Sequence, residues 1–205
     1  MRLGLTGGLG SGKSLVSRML GELGAAVVDA DELAREAVVP LTPAWQAIVD
    51  RFGRRFLLPG GALDRRLLGQ LVFSDPEARR DLEAIVHPEV RRLMDERAQR
   101  LEEAGAPVVV LDIPLLFEAG LTGEVDKIAV VYAPPETQLA RVMARDGLTE
   151  EEARRRIAAQ WPLSVKAPLA DYVIDNSGDR EATRMQVQRL WEEITSDDPH
   201  CPGRS

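Results

Sequence analysis

Eight residues near the N-terminus, Gly7-Gly8-Leu9-Gly10-Ser11-Gly12-Lys13-Ser14, have the types and spacing to hold a polyphosphate. They follow the pattern G-x-x-x-x-G-K-[ST]. The glycines let the backbone turn successive N–H groups into one concavity. A helix starting at the end of the loop adds its partial positive charge. Lys13 can reach the β- and γ-phosphates, and the Ser14 hydroxyl can ligate Mg²⁺. A dinucleotide-binding loop fits less well, because Lys13 stands where the last Gly of G-x-G-x-x-G would fall.

Three carboxylates and two guanidinium groups could complete phosphoryl-transfer chemistry. Asp29 and Asp31 close a short apolar run, and Asp112 closes another. In an open parallel sheet, ligands bind at the carboxyl ends of the strands. A carboxylate there can orient an acceptor hydroxyl or hold a water on Mg²⁺. Each aspartate taken singly is also a plausible N-cap or turn residue. Arg141 and Arg145 are spaced i, i+4 on one helix face, and Arg154–Arg156 follow on the next helix. Closing such a hairpin would bring cations to the transferring phosphoryl group. Arg154 and Arg155 follow Glu150 and Glu151 at i+4 spacing, which favours a solvated, ion-paired face for these two.

Positioning these residues takes a sheet with helices around it. Arg2–Leu5, Ala26–Asp29, Val108–Leu111, Ile128–Tyr132 and Tyr172–Ile174 read as short buried strands. The helical spacing of Leu15, Val16, Met19, Leu20 and Leu23, ended by Gly24, makes the first two strands part of a βαβ unit. Asp31 should therefore follow a strand beside the phosphate-loop strand. Glu32 to Ala104 contains no convincing strand. Helices fit Glu32–Val38, Pro43–Phe52, Arg65–Phe73, Pro76–Val86 and Pro88–Ala104, with a turn at Pro59-Gly60-Gly61. This stretch reads as a helical insertion. Two further helices, Pro135–Arg145 and Glu150–Trp161, are joined by Asp146-Gly147, the second opening on the capping box Thr149-x-x-Glu152. A last helix covers Arg180–Thr195, and Ser196–Ser205 reads as a frayed tail.

Composition narrows the class. The chain has 205 residues, a net charge of −7 and 44% hydrophobic residues. That is one domain with room for a subdomain, with no global basic field for nucleic acid. No stretch approaches a membrane span, and glycines interrupt the N-terminal apolar run that a signal peptide would need. A cytoplasmic protein is expected, monomeric or weakly self-associating. A single cysteine, Cys201, excludes an intramolecular disulfide, and one Cys with two His cannot build a metal cluster. Only three lysines, Lys13, Lys127 and Lys166, stand among 23 arginines, which makes each worth inspecting. Trp45, Trp161 and Trp191 read as packing residues. His87 before Pro88 reads as a cap fixing the start of a helix, with a ligand role as its alternative.

Two functional classes fit a phosphate loop, a phosphotransferase and a GTP-binding switch. A switch would need Asn-Lys-x-Asp or Thr-Lys-x-Asp to read guanine, and no lysine here has that setting. Asp175-Asn176-Ser177-Gly178 imitates the D-x-x-G of GTPases but has only one helix behind it. A small-molecule kinase explains the short chain, the helical insertion and the arginine-rich hairpin together.

From Arg2 to Trp191 the sequence resembles the dephospho-CoA kinase family. The resemblance rests on GLTGGLGSGKS followed by VVDADELAREAV, on Ile85-Val86-His87-Pro88 and on Asp112-Ile113-Pro114-Leu115-Leu116-Phe117-Glu118. It rests also on Arg141 with Arg145, on ARRRIAAQ ending at Gln160, and on Ala170-Asp171-Tyr172-Val173-Ile174-Asp175-Asn176. One departure is Gln160-Trp161-Pro162-Leu163, where the family pattern is more polar. The resemblance implies ATP-dependent phosphorylation of the ribose 3′-hydroxyl of dephospho-CoA, the last step of coenzyme A synthesis. A nucleoside or nucleotide kinase of the same class is the alternative.

It implies an α/β fold of the P-loop NTPase class, a three-layer core with a parallel sheet, built from 1–31 and 105–205. A helical CoA-binding subdomain over 32–104 and a helical lid over 140–166 complete the molecule. Lys13, Asp31 and Arg141 would carry the chemistry, Asp31 facing the acceptor hydroxyl and Arg141 reaching the phosphates. ATP would lie on Gly8, Gly10, Ser11, Gly12, Lys13, Ser14, Leu15 and Arg145, with Mg²⁺ on Ser14 and Asp112. The acceptor would meet Asp29, Asp31, His87, Leu115 and Leu116.

Overall fold

The computed structural model describes residues 1–196. Most of the expected tail, with Cys201, therefore lies outside the described residues, and Ser196 closes a helix. The chain divides into two compact units, one of residues 1–28 with the chain from Ala98 onward, the other Asp29–Arg97.

The first unit is built on five strands: β1 (Arg2–Gly7), β2 (Ala26–Asp29), β3 (Val109–Asp112), β4 (Lys127–Tyr132) and β5 (Tyr172–Asp175). Their order in the sheet is β2-β3-β1-β4-β5. β1 runs parallel to β3 on one side and to β4 on the other, and β5 runs parallel to β4. The phosphate-loop strand is thus central, and its Leu3 and Leu5 are fully buried. The expectation that β2 adjoins β1 is corrected. β3 lies between them, with Leu5 opposite Asp112, and Ala26 N–H bonds to Val108 O at 3.0 Å. Local periodicity shows that a strand exists but not who its neighbour is. The helical crossover leaves a one-strand gap, which β3 fills from eighty residues further on.

α1 (Lys13–Glu22) and α9 (Arg180–Ser196) cover one face of the sheet. Val16, Met19 and Leu20 of α1 and Val187, Leu190 and Ile194 of α9 share a core with Leu3, Leu5, Val110, Val131 and Ile174. Trp191 packs against this cluster. The hairpin of α6 (Pro135–Asp146) and α7 (Glu150–Ala158) turns at Gly147, and the capping box of Thr149 and Glu152 forms. The Thr149 hydroxyl holds the Glu152 carboxyl below its usual range. α7 ends three residues before its expected limit, ahead of Pro162, which opens the short α8 (Leu163–Lys166). A residue before proline is pushed out of helical geometry, so the departure segment is a bend.

The second unit holds α2 (Ala30–Glu36), α3 (Pro43–Phe52), α4 (Arg65–Ser74) and most of α5 (Pro76–Glu103). Trp45, Ile48, Phe52, Phe56, Leu63 and Leu68 form its core. Trp45 is a packing residue, as expected, and its Nε1–H bonds Gly61 O at 2.8 Å, pinning the turn at Pro59–Gly61.

α5 overturns one expectation. It is a single 28-residue helix with Pro88 inside it, so His87 caps nothing. Ala84 and Pro88 are both exposed, so the carbonyl that loses its donor faces water. Proline without an N–H is tolerated on that side. Replacing Pro88 by Ala restores a helix donor but loosens the unfolded chain. A net gain of about 1–2 kcal/mol is expected, read as a rise in thermal unfolding midpoint.

Candidate phosphate-binding site

The site lies entirely within the first unit. β1 delivers the chain to the loop, and α1 begins at Lys13 directly behind it. Gly12 is the N-cap, in the left-handed region at φ +89°, with no side-chain cap and no acidic residue in the first turn. A helix start that the protein leaves uncapped is suited to an anion.

N–H groups that point inward leave carbonyls pointing outward, and each needs a donor. Gly8 O accepts from Ser11 N–H at 3.0 Å, and Gly12 O from Leu15 N–H at 2.9 Å. Those of Leu9 and Ser11 are satisfied from far along the chain. Gln138 of α6 donates through Nε2 to Leu9 O at 2.8 Å. Asn176, just past β5, donates through Nδ2 to Ser11 O at 2.7 Å. Arg141 of α6 donates through Nη1 to the same oxygen at 3.4 Å and through Nη2 to Asn176 O at 2.9 Å. In addition, Leu9 N–H bonds Gln160 Oε1 at 2.9 Å, so both polar atoms of Leu9 are held by glutamines. The Ser11 hydroxyl is buried among the described residues with no hydrogen-bond partner.

Lys13 forms an ion pair with Asp112 at the end of β3. Both side chains are largely buried. The segment beyond Asp112 is tied down in turn. Pro114 O accepts from the Thr6 hydroxyl at 3.0 Å and from Lys166 Nζ at 3.4 Å. Lys166 is fully buried and pairs with Glu118 Oε1 at 2.8 Å, an oxygen that also accepts from Trp161 N–H at 2.9 Å.

The structure thus brings Gly8, Gly10, Ser11, Gly12, Lys13, Ser14, Asp112 and Arg141 together. Leu15 sits just inside α1, half-buried. The remaining expected residues have the following surroundings. Arg145 donates to the neighbouring Asp146 at 2.7 Å and 2.9 Å, and that bond holds the Asp146 carboxyl below its usual range. It is not on the phosphate loop. Arg154 pairs with Glu150 at 2.7 Å, the expected solvated face. Leu116 is fully buried, its Cδ1 2.8 Å from where a Cβ on Gly4 would stand, so only Leu115, 40% exposed, presents surface. Asp29 is the N-cap of α2, accepting from Asp31 N–H at 2.7 Å and Glu32 N–H at 3.2 Å, and Asp31 lies in that helix's first turn. His87 is exposed on α5. Trp161, expected to pack, is 46% exposed.

Gln138, Gln160 and Asn176 were missed as site residues. The signal for Asn176 was present: it follows a strand at the same sheet edge used to select the aspartates. Gln138 had none beyond being polar at a buried helical position.

The model of the family described as dephospho-CoA kinase matches residues 1–182. The chain belongs to the dephospho-CoA kinase family. The dephospho-CoA kinase of Geobacillus kaustophilus is 54% identical over 197 residues, covering 95% of this chain and 98% of that one. That of Geobacter sulfurreducens is 52% identical over 189 residues, covering 92% and 96%. The solved structure of dephospho-CoA kinase from Campylobacter jejuni aligns with a TM-score of 0.73 at 29% identity, over 95% of this chain and 97% of that one. The chain is therefore an α/β P-loop kinase of coenzyme A biosynthesis, and neither the nucleotide-kinase nor the switch alternative is favoured.

Two loop glycines combine a left-handed backbone with no space for a side chain. A Cβ on Gly10, at φ +78°, would stand 2.5 Å from the backbone oxygen of Gln138. One on Gly12 would stand 2.0 Å from Asn176 Nδ2. Backbone yields less than a side-chain amide. Gly10→Ala should cost about 2–4 kcal/mol of stability and Gly12→Ala about 1–2 kcal/mol. Chemical denaturation of the two variants measures the difference.

Proposed function

We propose that this enzyme transfers the γ-phosphoryl group of ATP to the ribose 3′-hydroxyl of dephospho-CoA, with the triphosphate on the loop Gly8–Ser14. The observation that carries this reading is the uncapped start of α1, with the Lys13 ammonium held beside it by Asp112. An ammonium has three donors, so Lys13 can meet phosphate oxygens without leaving its carboxylate.

The residues present fit Mg²⁺ arriving with the nucleotide. Among the described residues no group of three His, Cys, Asp or Glu could hold a metal ion by itself. Asp112 and the Ser14 hydroxyl are hard oxygen donors, and phosphate oxygens and waters would fill the remaining positions. Held there, the ion would supply positive charge to the phosphates. Arg141 is held at the loop by two carbonyls, and its remaining guanidinium donors are free to meet the transferring group. The hairpin α6–α7 then acts as a lid, and the helical unit Asp29–Arg97 receives the CoA portion. Asp31 orients the acceptor hydroxyl. Asp29 is the weaker candidate, because its carboxylate already caps α2. Leu115 offers an apolar surface to the acceptor.

A coupled ADP-release assay with ATP and Mg²⁺ tests the reaction, offering dephospho-CoA, AMP, adenosine and shikimate in turn. Turnover is expected with dephospho-CoA alone. Lys13→Ala should lower kcat/KM more than about tenfold, a loss above 1.4 kcal/mol of transition-state stabilisation, while the fold survives. Asp31→Asn keeps size and a hydrogen-bonding oxygen but loses charge and proton affinity. It should lower kcat by roughly 10²–10³-fold with little change in KM for ATP. A nearly active Asp31→Asn beside an inactive Asp29→Asn would move the acceptor carboxylate to Asp29.

A further inference from the structure

The geometry points to Asn176 and Thr183 as a positioning pair for the phosphate loop, one that sets its affinity for the triphosphate without touching it. The inference rests on the reading that this loop binds ATP. Asn176 is 3% exposed and Thr183 is fully buried, so neither is a surface residue adjusting to solvent. Ser11 O can only accept, so the Asn176 atom 2.7 Å from it must be the amide nitrogen. The amide oxygen then faces Thr183, whose hydroxyl lies 2.9 Å away and donates to it. The same hydroxyl also lies 3.2 Å from Asp179 O, one residue ahead of its own helix. Ser11 O therefore selects one of the two orientations of the amide, and Thr183 holds the amide's other end in place. Flipped, the amide would set an oxygen against Ser11 O and lose that bond.

What the amide holds is the outward carbonyl of the loop's Ser11–Gly12 peptide. That peptide's own N–H, on Gly12, belongs to the inward concavity, so fixing the carbonyl outward fixes the N–H inward. The fit is reciprocal. Asn176 Nδ2 occupies the space in which any side chain at position 12 would stand. Asn176 O in turn receives Arg141 Nη2, so the same residue sets the loop and the guanidinium beside it.

The test is ATP affinity by titration calorimetry on folded protein, with KM for both substrates. Asn176→Ala leaves Ser11 O with the long Arg141 contact alone, and should weaken ATP binding about tenfold while KM for dephospho-CoA stays within about twofold. Thr183→Val removes the hydroxyl at constant shape and should weaken ATP binding about 3–10-fold; Thr183→Ser should return it to within about twofold. A residue that only packs would lower the melting temperature without moving ATP affinity, and Ser would restore it no better than Val. Either result overturns the proposal, as does an equal loss for both substrates. Lys13→Ala in the same series separates the two readings. If it is inactive while Asn176→Ala binds ATP normally, the positioning pair alone is wrong. If Lys13→Ala also binds and turns over normally, the phosphate-loop reading has failed.

Discussion

A cradle for phosphates cannot be made by inward-facing N–H groups alone. Each peptide that turns its N–H to the ligand turns its carbonyl the other way, and a carbonyl facing the protein interior needs a donor. In this chain the requirement organises the site. Gln138, Arg141 and Asn176 donate to the back of the loop, and Gln160 accepts Leu9 N–H. Their elements are those the family resemblance already singled out, the arginine-rich hairpin and the segment after β5. Much of the structure around the loop thus has a second task besides any contact with substrate.

The same logic runs on the other side of β1. Asp112 must present its carboxylate at the sheet edge, where Lys13 meets it. The loop following Asp112 is held at Pro114 O by Thr6 and Lys166, and at Glu118 by Lys166 and Trp161 N–H. A fully buried ammonium is costly unless closely paired, and here a carboxylate and a carbonyl surround it. The compact head of a lysine suits that volume better than a forked guanidinium. This explains one of three lysines in a chain that otherwise uses arginine. Lys13 is a second, and Lys127, paired with Asp171 on the surface at 3.0 Å, is the ordinary third.

The five strands and most helices were legible because their signals are local: apolar runs, period 3.6, glycine and proline punctuation. α3 begins and ends where Pro43 and Phe52 mark it. The misses have non-local causes. Whether Pro88 breaks a helix depends on which way Ala84 faces, a tertiary fact. The neighbour of β2 depends on a strand that comes much later in the chain. In the site, glycine, lysine and aspartate could be selected by type, because few other residues do their work. Gln138, Gln160 and Asn176 make backbone bonds that many polar residues could make. Their importance lies in a partner more than a hundred residues away.

That separation has a consequence for how the protein comes into being. Ser11 and Asn176 lie 165 positions apart, and Leu9 and Gln160 lie 151 apart. During synthesis the loop emerges long before the residues that clamp it. β1 waits for β3 and β4 before it has any neighbour at all. Chain growth at about 5–20 residues per second leaves the glycine-rich segment unshaped for roughly ten seconds or more. A nascent or truncated chain ending before Asn176 carries the whole Gly7–Ser14 sequence without the means to hold it as a cradle. Competence to hold nucleotide therefore arrives only after Asn176 has emerged, 165 positions behind Ser11.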